Sequence, residues 1–363
     1  MRIVHTEASL GWGGQEIRIL SEAKGLIGRG HEVVLLCPAE ARIYREAPAW
    51  KVPAVALPIG AKRPRGVCAL VRWFRGNRCD VVSTHSSTDS WLTAFALLWL
   101  RRRFPMVRTR HISAPVPRNA ASRWLYTSAT TRIVTTGELL KQELVERNGY
   151  PAGRIESVPT GVDPRRFRPG DRDAARAALG LPQDKTLIGI VATLRSWKGH
   201  LFLIEAVAGL PESVGLVIVG DGPMRERLEA LAEKLGLRSR VRFAGNQADV
   251  VPWLQSLDVF ALPSYANEGV PQALIQAMLT GLACVTTAVG SISELAKHGE
   301  TALVVPPQEV TALRDAVRKL IDDPELRGRL GAAARRHCEA GFSYEAMLDK
   351  MERIYRDASR RTR

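Results

Sequence analysis

The sequence lacks the features of disulfide-linked, zinc-binding and membrane-spanning proteins. Its 363 residues include only five cysteines, scattered without the close pairs of a disulfide framework or a zinc site. We therefore expect a reducing, cytoplasmic environment and no bound metal. The most lipid-like run, residues 91–100, is far shorter than the roughly 20 residues of a spanning helix. Glycine and proline are near average, which excludes collagen-like and low-complexity chains.

Acidic residues are fewer than basic ones, and most of the difference lies in the first half of the chain. The formal net charge is +15, and residues 1–165 account for +12 of it, with 25 Lys+Arg against 13 Asp+Glu. Such a surface suits an anionic membrane leaflet or anionic acceptor, nucleic acid, or simple solubility. We favour the membrane leaflet or acceptor and expect no nucleic-acid partner, because the sequence has no nucleic-acid-binding motif.

Short apolar runs alternate with amphipathic segments of helical length along the whole chain. Runs of this kind are typical of parallel strands covered by helices on both faces, which predicts an α/β fold. The predicted strands are residues 3–6, 32–37, 54–57, 81–84, 106–109, 132–135, 155–158, 187–192, 215–219, 241–243, 259–262, 283–286 and 302–304.

The length and the repeated pattern predict two doubly wound, Rossmann-like domains facing each other across a cleft. Proline, glycine and charge cluster at residues 164–182, where we expect the boundary. The predicted domains are residues 1–165 and 166–340. Residues 341–363 are predicted to be a C-terminal helix that packs back toward the first domain.

In doubly wound domains the functional residues follow the strands. After the first strand, Gly13 and Gly14 lead into a helix whose first N–H groups can meet an anion. The spacing is not that of a dinucleotide fingerprint, and a tight turn accounts for the glycines equally well.

The second half has three more loops of this type. Arg195 and Lys198 follow a strand and can clamp a diphosphate, although two solvated cations are the simpler interpretation. Gly220 lies in a strand-to-helix turn. Glu268 stands at a helix entrance with Gln276 two turns inside; the carboxylate can cap the helix or hold sugar hydroxyls.

Several spaced motifs together resemble the family-4 glycosyltransferases, retaining enzymes of the GT-B fold, over nearly the whole chain. The segments that carry the resemblance are residues 157–163 (SVPTGVD), 189–199 (GIVATLRSWKG), 217–223 (VIVGDGP), 241–245 (VRFAG) and 264–276.

The resemblance implies a role for each matched position. Arg195 and Lys198 would stabilise the departing diphosphate, Glu268 would hold sugar hydroxyls, and His111 would contact the transferred sugar. The other implied positions are donor-binding (Gly13, Gly14, Gly220, Gly269, Val270 and Gln276) and acceptor-side (Gln15, Glu16 and His85). For either histidine a simple hydrogen-bonded loop role remains the alternative.

Two positions depart from the family pattern. Gln276 replaces the second glutamate of the E-x7-E element, and Thr160 replaces the usual asparagine of P-N-G-V-D. An uncharged Gln276 can still accept a hydrogen bond from the ribose, but the bond should be weaker. We therefore expect weaker donor binding and unchanged chemistry.

The implied activity is transfer of a sugar, with retention, from a nucleoside-diphosphate sugar to a lipid-linked glycan or lipopolysaccharide-type acceptor. The expected location is cytoplasmic, at the inner face of the membrane, and no cofactor is expected. Two other interpretations stay open: a sugar-nucleotide epimerase or hydrolase of the same fold, and a non-catalytic sugar-nucleotide-binding subunit.

Overall fold

The computed structural model describes residues 1–101, 104–111, 115–266 and 268–360, which divide into two compact units. The first unit is Met1–Thr160 together with the chain from Met347 onward, and the second is Gly161–Ala346. The division falls five residues before the predicted one. Residues 161–165 go with the second unit because the Val162 N–H donates to Phe342 O at 3.0 Å and Phe167 is buried in the second core.

The first unit contains a seven-stranded sheet in the order β3-β2-β1-β4-β5-β6-β7, with every described pairing parallel. This is the doubly wound order, extended by one strand. The strands are β1 (Arg2–Thr6), β2 (Glu32–Cys37), β3 (Ala54–Ala56), β4 (Val81–Thr84), β5 (Met106–Arg110), β6 (Arg132–Thr135) and β7 (Ile155–Ser157).

Helices connect these strands. They are α1 (Gly14–Gly28), α2 (Arg42–Glu46), α3 (Pro64–Gly76), α4 (Ser87–Trp99), α5 (Ala120–Arg123) and α6 (Glu138–Glu146). The cluster of three arginines at residues 101–103 follows α4; Arg102 and Arg103 lie outside the described residues.

The second unit contains a six-stranded parallel sheet in the order β10-β9-β8-β11-β12-β13. Its strands are β8 (Thr186–Val191), β9 (Val214–Val219), β10 (Val241–Gly245), β11 (Val259–Leu262), β12 (Ala283–Thr287) and β13 (Leu303–Val305). Its helices are α7 (Arg172–Leu179), α8 (His200–Ala208), α9 (Arg225–Lys234), α10 (Val251–Gln255), α11 (Gln272–Leu279), α12 (Val310–Asp322) and α13 (Pro324–Gly341).

The segment predicted to hold the domain boundary, residues 164–182, contains helix α7. Arg176 of α7 is buried, and its Nη2 lies 2.6 Å from Oδ2 of Asp258 while its Nε donates to Ser256 O at 2.8 Å. These contacts belong to the second unit. The cluster of proline, glycine and charge is therefore mostly the start of that unit, because a buried arginine holds it there.

Both sheets are covered as the continuous apolar runs predict. All six residues of β9 are buried, which requires helices on both faces of the sheet. The α/β prediction of two doubly wound domains is confirmed. No helix among the described residues is long and apolar enough to cross a membrane.

The last helix, α14 (Tyr344–Arg360), supplies the first unit with a further layer from Met347 onward. Its apolar face is buried, and the Tyr355 hydroxyl lies 2.7 Å from Oε1 of Glu22 and 3.0 Å from Oγ of Ser83. Glu352 of α14 also lies 3.0 Å from Nε2 of His31. The helix therefore contacts the first unit through residues near the middle of its sheet.

Candidate functional site

Lys198 and Glu268 form a close ion pair in the second unit. Nζ of Lys198 lies 2.6 Å from Oε1 of Glu268, and the Ser264 hydroxyl donates to the same oxygen at 2.6 Å. The Glu268 side chain is 4% exposed, and Oε2 has no hydrogen-bond partner among the described residues. One carboxylate oxygen is thus occupied while the other can accept a hydrogen bond from a ligand hydroxyl.

Two glycines make this pairing possible by letting backbones approach closely. Gly199 has a φ of 79°, and a Cβ there would lie 2.0 Å from Pro263 O. Gly290 has a φ of 60°, and a Cβ there would lie 1.9 Å from Glu268 O. The loop after β8 and the loop after β11 are also joined by the Tyr265 N–H, which donates to Trp197 O at 2.9 Å. Neither glycine tolerates a side chain.

Arg195 differs from Lys198 in having no ion-pair partner among the residues that the structure describes. It is exposed, and its guanidinium lies over the Trp197 ring at 5.7 Å from the centroid. The predicted pair of cations is therefore unequal: Lys198 is held by a carboxylate, whereas Arg195 is available to an anion.

Gly220 has a structural reason to be glycine. Its φ is 137°, and a Cβ would lie 2.0 Å from Ala192 O. The turn around it is tied to the loop after β8, because the Leu194 N–H donates to Asp221 O at 3.0 Å. The Gly220 turn thus supports the loop that carries Arg195. Its predicted contact with the donor stays a prediction.

The predicted donor-binding positions around helix α11 lie at its N-terminal end and on one face. Gly269 is exposed, and Val270 packs partly against the second core. Gln276 is half-buried, and no described residue is hydrogen-bonded to its side-chain amide. The amide of Gln276 is therefore available to a ligand, and its predicted contact with the donor stays a prediction.

In the first unit, His5, His85 and His111 form a hydrogen-bonded chain. Nδ1 of His5 lies 2.9 Å from Nε2 of His85, and Nδ1 of His85 lies 3.0 Å from Nε2 of His111. His5 lies in β1, while His85 and His111 directly follow β4 and β5. These strands are neighbours in the sheet, which is why the three rings meet.

The three imidazoles are neutral near pH 7. Burial lowers the pKa of His5, and it lowers the pKa of His85 and of His111 well below the ordinary value of 6.5. The positive charge of Arg18 lowers the pKa of His85 and His111 further. Each ring therefore carries one N–H.

Asp89 fixes the loop that carries His85. Its Oδ2 accepts hydrogen bonds from the His85 N–H at 2.9 Å and from the Thr6 hydroxyl at 2.7 Å. Its Oδ1 accepts from the Ser86 N–H at 2.7 Å and completes a capping box at the start of α4. Burial raises the pKa of Asp89. Asp89 of α4 thus connects the backbone of His85 to Thr6 of β1.

Glu7 follows β1 and is completely buried. Burial, reinforced by the nearby carboxyl group of Asp89, raises its pKa to about 8. Its oxygens accept from the Ser9 N–H at 2.7 Å and from Nε2 of Gln15 at 2.5 Å. Glu7 therefore holds the acceptor-side candidate Gln15, and its pKa lies near 8.

The start of α1 is open at its glycines. Gly13 has an extended φ of −171°, and a Cβ there would meet only Oε2 of Glu16 at 3.8 Å, an ordinary contact. Gly14, the first residue of α1, is exposed, while Glu16 is buried. The fold of the unit does not require glycine at position 13, and the close approach of a ligand there stays a prediction.

Three residues near these sites were not singled out by the sequence motifs: His5, Glu7 and Asp89. A polar residue within or directly after a buried strand is the signal that could have found His5 and Glu7. Asp89 was recognisable as the fourth residue of a capping box that begins at Ser86. Among the described residues, no group of three or more His, Cys, Asp or Glu side chains is placed to hold a metal ion.

Fold and site define a protein with two Rossmann-like domains whose charged and polar residues follow the parallel strands. Solved structures share this fold. A glycosyltransferase from Rickettsia africae superposes with a TM-score of 0.89 at 20% identity, covering 98% of each chain. The Anabaena protein HepE in complex with UDP gives a TM-score of 0.87 at 21% identity, covering 98% of this chain and 100% of that one.

A third structure, the lipopolysaccharide outer core galactosyltransferase WaaB, gives a TM-score of 0.76 at 18% identity and covers 98% of this chain and 99% of that one. Family models match both halves of the sequence. Residues 12–166 match Glycosyltransferase Family 4, and residues 171–337 match Glycosyl transferases group 1.

Two curated relatives are D-inositol 3-phosphate glycosyltransferases. That of Rhodococcus jostii is 30% identical over 391 residues, covering 96% of this chain and 85% of that protein. That of Nocardia farcinica is 32% identical over 294 residues, covering 73% of this chain and 63% of that protein, less than two thirds of its length. The chain belongs to the family-4 glycosyltransferases of the GT-B fold, and it is a glycosyltransferase.

Proposed function

We propose that the protein transfers a sugar from a nucleoside-diphosphate sugar to a hydroxyl of a lipid-linked glycan or lipopolysaccharide-type acceptor, with retention and without a metal. The observation that carries the proposal is the Lys198–Glu268 pair with the exposed Arg195 beside it. HepE binds UDP and WaaB is a lipopolysaccharide galactosyltransferase, and both relatives support this choice of donor and acceptor.

In the proposed reaction, negative charge develops on the departing diphosphate, which the two cations would contact. As the bond between the anomeric carbon and the diphosphate oxygen breaks, the electron pair goes to the diphosphate, which Arg195 and Lys198 would stabilise. The acceptor oxygen forms the new bond on the same face of the sugar, and its proton goes to the departing diphosphate. Oε2 of Glu268 would accept a hydrogen bond from a donor-sugar hydroxyl.

The first measurement is thermal stability of the purified protein with UDP, GDP, ADP and CMP, each with and without EDTA. A nucleotide at 100 times its dissociation constant adds about 2.7 kcal/mol to the free energy of unfolding. Stabilisation by one nucleotide that EDTA leaves intact supports a metal-free donor site. Stabilisation by none of them contradicts the proposal.

Arg195→Ala tests the cation directly. We expect kcat for glycosyl transfer to fall by about 100-fold, the usual cost of removing one group that stabilises transition-state charge. Arg238→Ala is the matched control, because that side chain is 88% exposed and lies elsewhere in the same unit. Equal activity of the two variants would contradict the role proposed for Arg195.

We further propose that the first unit rests on an anionic membrane leaflet through helices α3 and α4. Three apolar side chains of α4 are exposed: Phe95 at 46%, Leu98 at 51% and Trp99 at 67%. A groove of about 410 Å³ between the helices is apolar, and Lys62 and Arg63 stand at its rim. Exposed aromatic residues beside cations suit the headgroup region of a bilayer.

The stretch of sequence that contains these two helices is basic, which supports a negatively charged partner. Residues 47–137 contain 15 Lys+Arg and only two acidic residues, Asp80 and Asp89, of which Asp89 is buried. Each basic residue near an anionic surface contributes roughly 1 kcal/mol at moderate salt. A neutral surface would gain nothing from this arrangement.

Sedimentation with lipid vesicles tests the surface. The protein should bind vesicles that contain phosphatidylglycerol and bind pure phosphatidylcholine vesicles much more weakly. The double variant Phe95→Ser with Trp99→Ser should bind anionic vesicles about tenfold more weakly, since it removes two apolar anchors. Leu139→Ser, a half-exposed leucine of the same unit, is the control. Unchanged binding by the double variant would contradict this surface.

A further inference from the structure

The hydrogen-bonded chain of His5, His85 and His111 has a direction. Each neutral imidazole carries a single N–H, so each ring donates through one nitrogen and accepts through the other. Two arrangements satisfy both bonds. In the first, His5 donates to His85 and His85 donates to His111; in the second, every donation is reversed. The tautomers of the three rings are therefore coupled.

The buried end of the chain decides between the two arrangements. Nε2 of His5 is buried and has no hydrogen-bond partner among the described residues. The reversed arrangement places an N–H at this nitrogen, and a buried N–H without an acceptor is costly and rare in proteins. The first arrangement leaves only an unused lone pair there. The unpartnered nitrogen of His5 thus favours donation toward His111.

Ser83 fits either direction. Its hydroxyl lies 3.4 Å from Nε2 of His85, and a hydroxyl can donate to that nitrogen or accept a hydrogen bond from it. In the first arrangement Nε2 of His85 is an acceptor that receives the N–H of His5. His85 then donates from Nδ1, and His111 must carry its proton on Nδ1.

We propose that His5 and His85 are positioning residues that fix His111 in the tautomer with its proton on Nδ1. Nδ1 of His111 has no hydrogen-bond partner among the described residues. Its N–H lies on the opposite side of the ring from His85 and is available to an oxygen of the bound sugar. The inference rests on the proposed contact of His111 with the transferred sugar. It adds that the contact is a donated hydrogen bond, set from the interior of the unit.

Long-range ¹H–¹⁵N correlation spectra of the full protein, labelled with ¹⁵N-histidine, test the proposal without any substrate. The expected result is a protonated Nδ1 and an unprotonated Nε2 at His111. The seven histidines of the chain can be assigned by single substitutions. A proton found on Nε2 of His111 in the unmodified protein overturns the proposal, and this measurement needs no variant to fold.

His5→Phe is the sharper arm, because His5 reaches His111 only through His85. Loss of its N–H frees Nε2 of His85 to become a donor, so the fraction of His111 protonated on Nε2 should rise. His5→Asn keeps an N–H donor and should preserve the original tautomer. His31→Phe replaces another buried histidine of the same unit and should leave His111 unchanged. If His5→Phe leaves the His111 spectrum unchanged, the proposed coupling is overturned.

Kinetics separate this inference from the proposed function. With the natural donor, His5→Phe should lower kcat roughly tenfold with little change in KM, the cost of one misdirected hydrogen bond, and His5→Asn should restore it. A fall in kcat without a change of tautomer contradicts the chain and leaves the transferase proposal standing. If the expected tautomers are observed but no sugar is transferred, only the proposed function is contradicted.

Discussion

At the scale of single residues, glycines that look alike in the sequence are present for different structural reasons. Gly199, Gly220 and Gly290 are required by the fold, since a Cβ at each would lie about 2 Å from a backbone oxygen. Gly13 has an extended backbone and open space around its Cα. Of these four, only Gly13 is a glycine that the ligand-free fold does not require.

Gly13→Ala should therefore separate binding from folding. We expect the free energy of unfolding to change by less than roughly 1 kcal/mol, because the new methyl group meets only ordinary contacts. The KM for the nucleotide sugar should rise severalfold if a phosphate approaches this backbone. Thermal melts and steady-state kinetics check both expectations. Gly199→Ala serves as the contrast and should destabilise the fold. A Gly13→Ala enzyme with an unchanged KM would show that no ligand lies beside Gly13.

Gln276→Glu tests the departure from the family pattern. The side-chain amide has no described partner, so a carboxylate there has only solvent and ligand to interact with. A charged acceptor makes a stronger hydrogen bond to a ribose hydroxyl than an amide does. We expect severalfold tighter binding of the nucleoside diphosphate by calorimetry. Weaker binding would mean that the Gln276 amide donates a hydrogen bond to the nucleotide instead of accepting one.

At the scale of elements, strands are easier to predict from this sequence than helices. The apolar runs predict all thirteen strands found among the described residues, within two residues at each end, because short continuous runs bounded by turn residues are typical of buried parallel strands. The periodicity does not reveal four short helices, α2, α5, α7 and α10. Three of them have at most five residues, too few for a helical period to show in the sequence, and α7 lies in the segment predicted to hold the domain boundary.

Helix α14 illustrates how one element carries a long-range contact. Its strong amphipathic pattern predicts a helix, but it does not predict which side chains the buried face contacts. In the structure the Tyr355 hydroxyl lies between Glu22 of α1 and Ser83 of β4. A single buried hydroxyl thus joins three elements that lie far apart in the sequence.

Tyr355→Phe should destabilise the protein by about 1 to 3 kcal/mol. The substitution keeps the ring but leaves the buried Glu22 without its closest hydrogen-bond donor. Urea denaturation measures the change. Tyr265→Phe is a control in the second unit, where the tyrosine is only half-buried. A loss no larger than that of the control would contradict the importance of this bridge.

At the scale of the whole molecule, buried titratable groups give stability two opposing pH dependences. Burial lowers the pKa of His5, His85 and His111, and it lowers that of His200, beside Lys198, to about 4. The folded state then binds fewer protons than the unfolded state below pH 6.5, so acid destabilises it. Glu7 acts in the opposite sense: its pKa is raised, and its contribution is lost as the pH rises from 4.5 toward 8.

Two variants should separate these effects. His200→Gln should reduce the fall in unfolding free energy between pH 6.5 and 4, by at most about 1.4 kcal/mol per pH unit. Glu7→Gln should instead raise stability above pH 8 relative to the parent, because no buried carboxylate then has to ionise. Urea denaturation across the pH range measures both. Parallel pH profiles for parent and variants would contradict the assignment of these groups.

The α/β class, the strands, the family and the loops that carry the candidate residues all follow from the sequence alone. They do so because short apolar runs and strand-to-helix motifs are local properties of the chain. The same local motifs mark Lys198 and Glu268 separately, seventy positions apart, without showing that they pair.

Which of these residues meet depends instead on the packing of distant segments. The pairing of Lys198 with Glu268 requires two loops that glycines bring together, and the chain of His5, His85 and His111 requires three strands that are neighbours in one sheet. The raised pKa of Glu7 likewise comes from burial and from Asp89, which lies far along the chain. No local pattern encodes contacts of this kind, because each becomes favourable only once the whole unit has folded around it.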